Sequence, residues 1–202
     1  EKTGIAFGLK PYSSMNYQYQ QDKVILDGNT IYNKHIDGSG GINQVYFSTG
    51  KNLNKRISAG ITASWLFGSL IKTTEYGISS ASLDIIKQET DFYYGALFQG
   101  GLQYYSLYGK KWRHQIGIVG SFSTNLTGEL TSEYTDAGVT IKKELQTGRK
   151  FKLPVTAGIG YSAIFKNKLT FSVEANSYNW KYQKVDYTSS YTNPSLRLSA
   201  GL

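Results

Sequence analysis

At 202 residues with 40% hydrophobic content, the chain is long enough for one domain with a real core, and no break in composition divides it. Zero cysteines exclude disulfides, thiolate nucleophiles and sulfur-ligated metals together, while the absence of any apolar run of about 18 residues excludes helical membrane spans only. The formal charge of +8 is scattered over short turns and loops (Lys51, Lys55, Arg56; Lys110, Lys111, Arg113; Lys142, Lys143; Arg149, Lys150), so it makes no phosphate-tracking stripe for nucleic acid. Attraction to anionic lipid head groups, or plain solvation of loops, explains the same residues more simply.

The first expected strand runs from Thr3 to Gln20, with Ile5, Phe7, Leu9, Met15, Tyr17 and Tyr19 on one parity and Gly4, Gly8, Lys10, Ser14, Asn16 and Gln18 on the other. Pro11 interrupts it, which predicts a bulge, a kink or a local loss of pairing. A polar stretch follows from Gln21 through Gly38-Ser39-Gly40-Gly41, and a second strand covers Ile42 to Thr49. The turn Lys51-Asn52-Leu53-Asn54-Lys55 leads into a third strand from Ile57 to Glu75, where odd positions such as Ile57, Ile61 and Trp65 are apolar and Ser58, Gly60, Thr62 and Ser64 alternate with them.

A long loop leads to a fourth strand, Thr90 to Leu107, with Phe92, Tyr94, Ala96, Phe98, Leu102 and Tyr104 facing one way and Gly95, Gln99, Gly101 and Gln103 the other. After Gly109-Lys110-Lys111 the fifth sets Ile116, Ile118, Phe122 and Leu126 against Gln115, Gly117, Ser121, Ser123 and Asn125. Thr127–Lys150 reads as another long charged loop. The sixth strand opposes Leu153, Val155, Ala157, Ile159, Tyr161 and Ala163 to Thr156, Gly158, Gly160 and Ser162; a Lys166-Asn167-Lys168 turn and a seventh strand from Leu169 to Asn176 follow. The last strand opposes Leu196, Leu198, Ala200 and Leu202 to Ser195, Arg197, Ser199 and Gly201.

About eight strands near the roughly 9–11 residues of a tilted membrane strand, joined alternately by tight turns and long loops, predict an all-β, antiparallel transmembrane β-barrel. A soluble sandwich also alternates, but it does not require this alternation of connections. Nor does it require aromatic crowding at strand ends (Tyr17, Tyr19; Tyr104, Tyr105, Tyr108, Trp112; Tyr178, Trp180, Tyr182) or a Gly/Ser/Thr-rich polar face. The expected location is the outer membrane of a Gram-negative cell, crossed many times, with outer-membrane lipid as a partner. No signal peptide is present and the chain starts at Glu1, which reads as a processed or trimmed chain forming all or part of one barrel domain, 1–202.

Chemistry-bearing constellations are sparse. His35 and His114 have no Ser, Asp or metal-ligand partner at a recognised spacing, and Gly38-Ser39-Gly40-Gly41 lacks the Lys-Ser/Thr and helix of a phosphate cradle. No catalytic residue, metal or cofactor is expected. The inward parity instead carries Lys10, Glu174 and Arg197, with Gln99, Gln103 and Gln115 as neutral company, since a lysine or arginine facing lipid at the midplane costs roughly 2–4 kcal/mol. Glu174 and Arg197 are expected to brace the barrel as an ion pair, the alternative being that they line a substrate path.

Phe7-Gly8-Leu9-Lys10-Pro11-Tyr12-Ser13-Ser14 is similar to a strand of Bacteroidota outer-membrane proteins related to the long-chain fatty acid transporters. Gly38-Ser39-Gly40-Gly41-Ile42-Asn43-Gln44-Val45-Tyr46 and the stretch Leu53 through Gly68 resemble the segments that follow it in that group. The resemblance covers the first third of the chain. It implies a fourteen-stranded barrel with an N-terminal hatch, neither of which this chain shows in full, and passage of hydrophobic small molecules such as long-chain fatty acids. One branch of that superfamily instead serves as a barrel partner subunit of the type IX secretion translocon. The alternative function is therefore a non-enzymatic subunit or scaffold of a secretion complex, with loops Gln21–His35 and Thr127–Lys150 free to hold a protein partner.

Overall fold

The computed structural model describes residues 3–26, 30–78, 83–108, 111–122, 124–166, 168–180 and 194–202. They form one antiparallel sheet of ten strands: β1 (Thr3–Leu26), β2 (Thr30–Asn52), β3 (Ile57–Ile78), β4 (Leu83–Tyr108), β5 (Trp112–Ser121), β6 (Asn125–Asp136), β7 (Val139–Lys152), β8 (Val155–Phe165), β9 (Leu169–Asn179) and β10 (Ser195–Gly201). The path β1-β2-β3-β4-β5-β8-β9-β10 is a meander whose eight strands are those the alternation predicts. The sheet curls into a half-barrel, bringing Tyr12 of β1 and Tyr178 of β9 to the lining of one chamber.

Its convex face carries an extended apolar belt. Ile5, Phe7, Val45, Phe47, Ile61, Trp65, Phe98, Leu102, Ile118, Ile159, Phe171 and Leu198 all stand exposed there, Phe7 at 84%. A water-facing surface rarely carries so extended an apolar patch, whereas a lipid-facing one requires it. The concave face continues the Gly, Ser, Thr and Gln parity, with side-chain bonds across it such as Ser48–Thr62 at 2.8 Å and Ser121–Thr156 at 2.7 Å.

Three stretches expected to be loops are paired strand. Gln21–Leu26 ends β1 and Thr30–His35 begins β2, residues 76–78 and 83–89 extend β3 and β4, and Thr127–Lys150 is the hairpin β6–β7. Its turn is built by Ala137 and Gly138, both at positive φ (45° and 82°), the backbone of a two-residue hairpin turn. Consequently β1 to β4 are 24, 23, 22 and 26 residues long, about twice what a bilayer needs. The glycine run 38–41 lies within β2 rather than in a loop, pairing with both β1 and β3.

Two slips of register reverse the expected faces. The ladder between β1 and β2 skips Tyr12, so beyond Pro11 the parity flips and Tyr17 pairs with Gly38, over which its ring lies. Met15, Tyr17 and Tyr19 therefore share the concave parity, not that of Ile5. The second slip lies between β5 and β6. Ser121 pairs with Gln99 but Thr127 with Tyr94, one residue more than β4 spends on the same span. Leu126 and Leu153, expected on the lipid face, are thereby turned inward and buried.

These inward leucines join Ile42, Leu66, Tyr93 and Leu97 in a cluster on the concave side, with Tyr12, Leu70 and Phe151 packed against it. Among the described residues β1 is paired on one side by β2, and β10 on one side by β9.

Candidate functional site

The concave surface holds two adjoining spaces. The first is a trough of about 970 Å³, where Gly50, Gly60, Gly101, Gly117, Gly158, Gly160 and Gly201 and the hydroxyls of Ser58, Thr62, Ser162, Ser172 and Ser199 are mixed with aliphatic residues such as Ile118, Val119 and Ile159. Small residues on this parity let the wall curve without filling the interior. The second is a chamber of about 490 Å³ next to the inward cluster, lined by Tyr12, Ile42, Leu70, Tyr93, Leu97, Phe151 and Leu153. Gln99, Val119, Gly158 and Asn176 belong to both, so the trough opens directly into the chamber. No Lys, Arg, Asp or Glu is in the chamber lining among the described residues.

Of the expected inward residues, Gln99, Gln103, Gln115 and Glu174 line the trough. Gln103 accepts a hydrogen bond from the Tyr105 hydroxyl at 2.6 Å, and Gln115 one from Ser162 at 3.4 Å. Lys10 pairs in register with Gln44 and holds its ammonium 5.4 Å from the centre of the Tyr46 ring, an attraction to the negative face of the π-system. Arg197 lies on β10 opposite Asn176, not opposite Glu174. The expected Glu174–Arg197 ion pair does not form: the two are diagonal, and the carboxylate accepts instead from Asn176 Nδ2 at 3.0 Å.

Beyond the chamber, toward the long-strand end, the concave parity becomes charged. Lys87 donates to Glu89 at 2.7 Å, Lys72 stands 3.8 Å from the same carboxylate, and Arg149 pairs with Asp91. Lys87 also lies 5.6 Å over the Tyr134 ring, and the Glu89 hydrogen bond raises its pKa above the ordinary lysine value, so it is a fixed cation at neutral pH. This network ties β3, β4, β6 and β7 together: the β6–β7 hairpin is clamped to the wall as well as paired to it. The chamber is thus capped by charges that satisfy one another.

Sequence reasoning missed the chamber. Tyr12 was hidden by the bulge, and Leu126 and Leu153 by the second slip. Leu66 and Leu97 had a visible signal, since each sits in a run (Trp65-Leu66-Phe67, Ala96-Leu97-Phe98) that breaks strict alternation by adding an apolar residue to the inward parity.

The two histidines sit apart. His35, within β2, contacts Gln18 and Asp37, each at 3.0 Å, rather than lying in a solvated loop. His114 is on the convex face between Trp112 and Tyr161, with Nδ1 hydrogen-bonded to the tyrosine hydroxyl at 2.7 Å. What the site can do chemically is accommodate, orient and exclude; the polar groups of its lining are neutral amides and hydroxyls apart from Lys51 and Glu174.

Over residues 1–199 the chain matches the family model described as BamG. The match does not show the fatty acid transporter superfamily that Phe7 to Gly68 resembles. No curated protein and no solved structure matches the chain.

Proposed function

The chain belongs to the BamG family, a β-rich protein associated with the Gram-negative outer membrane, and from that membership we propose that it is a non-enzymatic barrel component of a complex that assembles or exports proteins there. In this reading the eight-strand meander crosses the membrane repeatedly, and the part of the wall that outruns the bilayer is the partner-binding part. One observation carries the proposal. Strands of 22 to 26 residues, at roughly 3.3 Å per residue, far exceed a hydrocarbon core of about 30 Å, yet their ladders continue into the projecting half, β2–β3 and β3–β4 without a shift of register. A pore needs no such superstructure; a docking platform does.

The projecting half also offers a place to dock. Among the described residues β7 pairs with β6 alone, and its residues Val139, Ile141 and Leu145 are exposed at 65%, 63% and 63%. An unpaired strand edge with exposed aliphatic side chains is a template for strand addition by another chain. Affinity purification of the intact protein in mild detergent is expected to yield a stoichiometric protein partner, and Ile141→Lys with Leu145→Lys to reduce its recovery at least tenfold while the barrel still folds. Recovery of a solitary barrel, or of a partner indifferent to both lysines, would count against the proposal.

A second reading, passage of hydrophobic small molecules such as long-chain fatty acids, draws support from the uncharged apolar chamber at the head of the trough. Under it, cells carrying the protein take up a labelled long-chain fatty acid faster than cells lacking it, and Leu97→Arg removes the difference. Equal uptake by both would dismiss this reading and leave the first standing.

A further inference from the structure

We propose that the short-turn rim of the half-barrel is a binding site for anionic phospholipid, formed by basic residues of neighbouring turns beneath an aromatic platform. The inference rests on the membrane-spanning reading above and adds a ligand to a part of the molecule which that reading leaves without a role.

The β2–β3, β4–β5 and β8–β9 turns all lie at this end, and they carry Lys55, Arg56, Lys111, Arg113, Lys166 and Lys168. No Asp or Glu occurs among the described residues 51–57, 111–113 and 165–169. Among the described residues the ion pairs are at the other end, where Lys72, Lys87 and Arg149 are neutralised by Glu89 and Asp91. Basic residues therefore outnumber acidic ones along the described part of this rim.

The turns are held side by side by their backbones. Tyr105 N–H donates to the Arg56 carbonyl at 2.7 Å, and Lys166 N–H to that of Lys111 at 2.8 Å. The Asn54 side chain fixes the first turn, accepting from the backbone N–H of Arg56 and Ile57 at 2.7 and 2.8 Å. Backbone bonds thus hold described cations of neighbouring turns beside one another, which lowers the entropy of engaging several at once.

Directly above them, on the lipid-facing parity, rings make a continuous surface. Phe165 meets Trp112 with centroids 4.8 Å apart, Trp112 stacks on His114 at 6.1 Å, and His114 on Tyr161 at 6.0 Å. Lys166 holds its ammonium 5.4 Å from the Phe165 ring centre, at the outer surface rather than in the lumen. A ligand touching both the rings and Lys166 has to combine an apolar body in the hydrocarbon with a negative charge at its edge. That describes a phospholipid whose head group carries net negative charge. An acidic protein would meet the lysines without covering the rings.

Tryptophan fluorescence of the intact protein in vesicles tests this. Vesicles that mix phosphatidylglycerol with phosphatidylcholine are compared with the bromine carried on the one lipid or on the other, and the Trp112 contribution is taken as the difference from Trp112→Phe. Phosphatidylglycerol is expected to occupy the Trp112 site in preference to phosphatidylcholine by about fivefold for each lysine engaged. Lys111→Gln with Lys166→Gln should erase that preference, as should high salt on the unaltered protein. Equal quenching by the two lipids, or a preference untouched by the glutamines and by salt, overturns the head-group site while leaving the barrel in lipid. No quenching by either overturns the membrane-spanning reading along with it.

Discussion

Arginine at Phe98 is expected to abolish stable insertion into lipid, whereas arginine at the adjacent Gln99 is expected to leave insertion intact. Phe98 stands at the centre of the convex run Phe92, Tyr94, Ala96, Phe98, Leu102 and Tyr104, and is 59% exposed on that face. Its neighbour lines the trough and the chamber, where water and neutral dipoles are available to a guanidinium. A cationic side chain on the lipid face at the midplane costs roughly 2–4 kcal/mol, falling toward zero at the interfaces. Against a total stability of roughly 5–15 kcal/mol for a typical domain, that is a large fraction. Folding into vesicles, scored by protease resistance and by the heat-dependent shift of gel mobility, provides the measurement. Equal tolerance of both substitutions would mean that no hydrocarbon touches Phe98.

Valine at Gly40 is the second change with a large expected effect, and it should prevent the wall from forming. Gly40 has φ of 108°, a conformation that a β-branched residue scarcely adopts, and an added Cβ there would collide with the Ser69 carbonyl oxygen. The neighbours are as crowded: side-chain carbons at Gly41 and Gly68 would meet the Ser13 and Gly41 carbonyls. Backbone strain of this kind costs roughly 1–3 kcal/mol. Overpacking adds about 1–3 kcal/mol more, because the obstruction is backbone and cannot rotate away. The contrasting site is Gly4, where a Cβ meets nothing within 4 Å. Gly4→Val should fold like the parent, and Gly40→Val should leave the chain unfolded in the same vesicle assay; a folded Gly40→Val would show that β2 bends by another means.

Much of the architecture was legible because a strand writes its two surroundings alternately into the chain. Ile5, Phe7 and Leu9 against Gly4, Gly8 and Lys10, or Ile159 against Gly158 and Gly160, need no partner strand to be read. What escaped is what depends on a partner. The extra residue at Tyr12 changes nothing in local composition beyond the warning from Pro11, yet it reassigns every side chain after it. The hairpin β6–β7 was obscured because its strands mix Lys, Glu, Thr and Tyr on both faces; only Asp136-Ala137-Gly138 between Tyr134 and Val139 marked it.

The inward Gln99, Gln103, Gln115 and Glu174 could be placed by parity, but the pairing of Glu174 with Asn176 instead of Arg197 follows from a register that one strand alone cannot state. The buried cluster beside the chamber was out of reach for the same reason, since two of its leucines acquire their direction from a slip rather than from their neighbours in the chain.

That slip has a consequence for how the fold can vary. β5 pairs with β8 and β6 with β7 in one common phase, Ser121 with Thr156 and Asn125 with Lys152, so each side of the interruption between them spans three residues. The two short spans behave as a matched joint: lengthening one by a single residue would set the upper arms out of step, sending Leu126 outward while Phe151 stayed in. Variation in length is therefore permitted here only in matched pairs, and descendants of this sequence should gain or lose residues at 122–124 and 153–155 together.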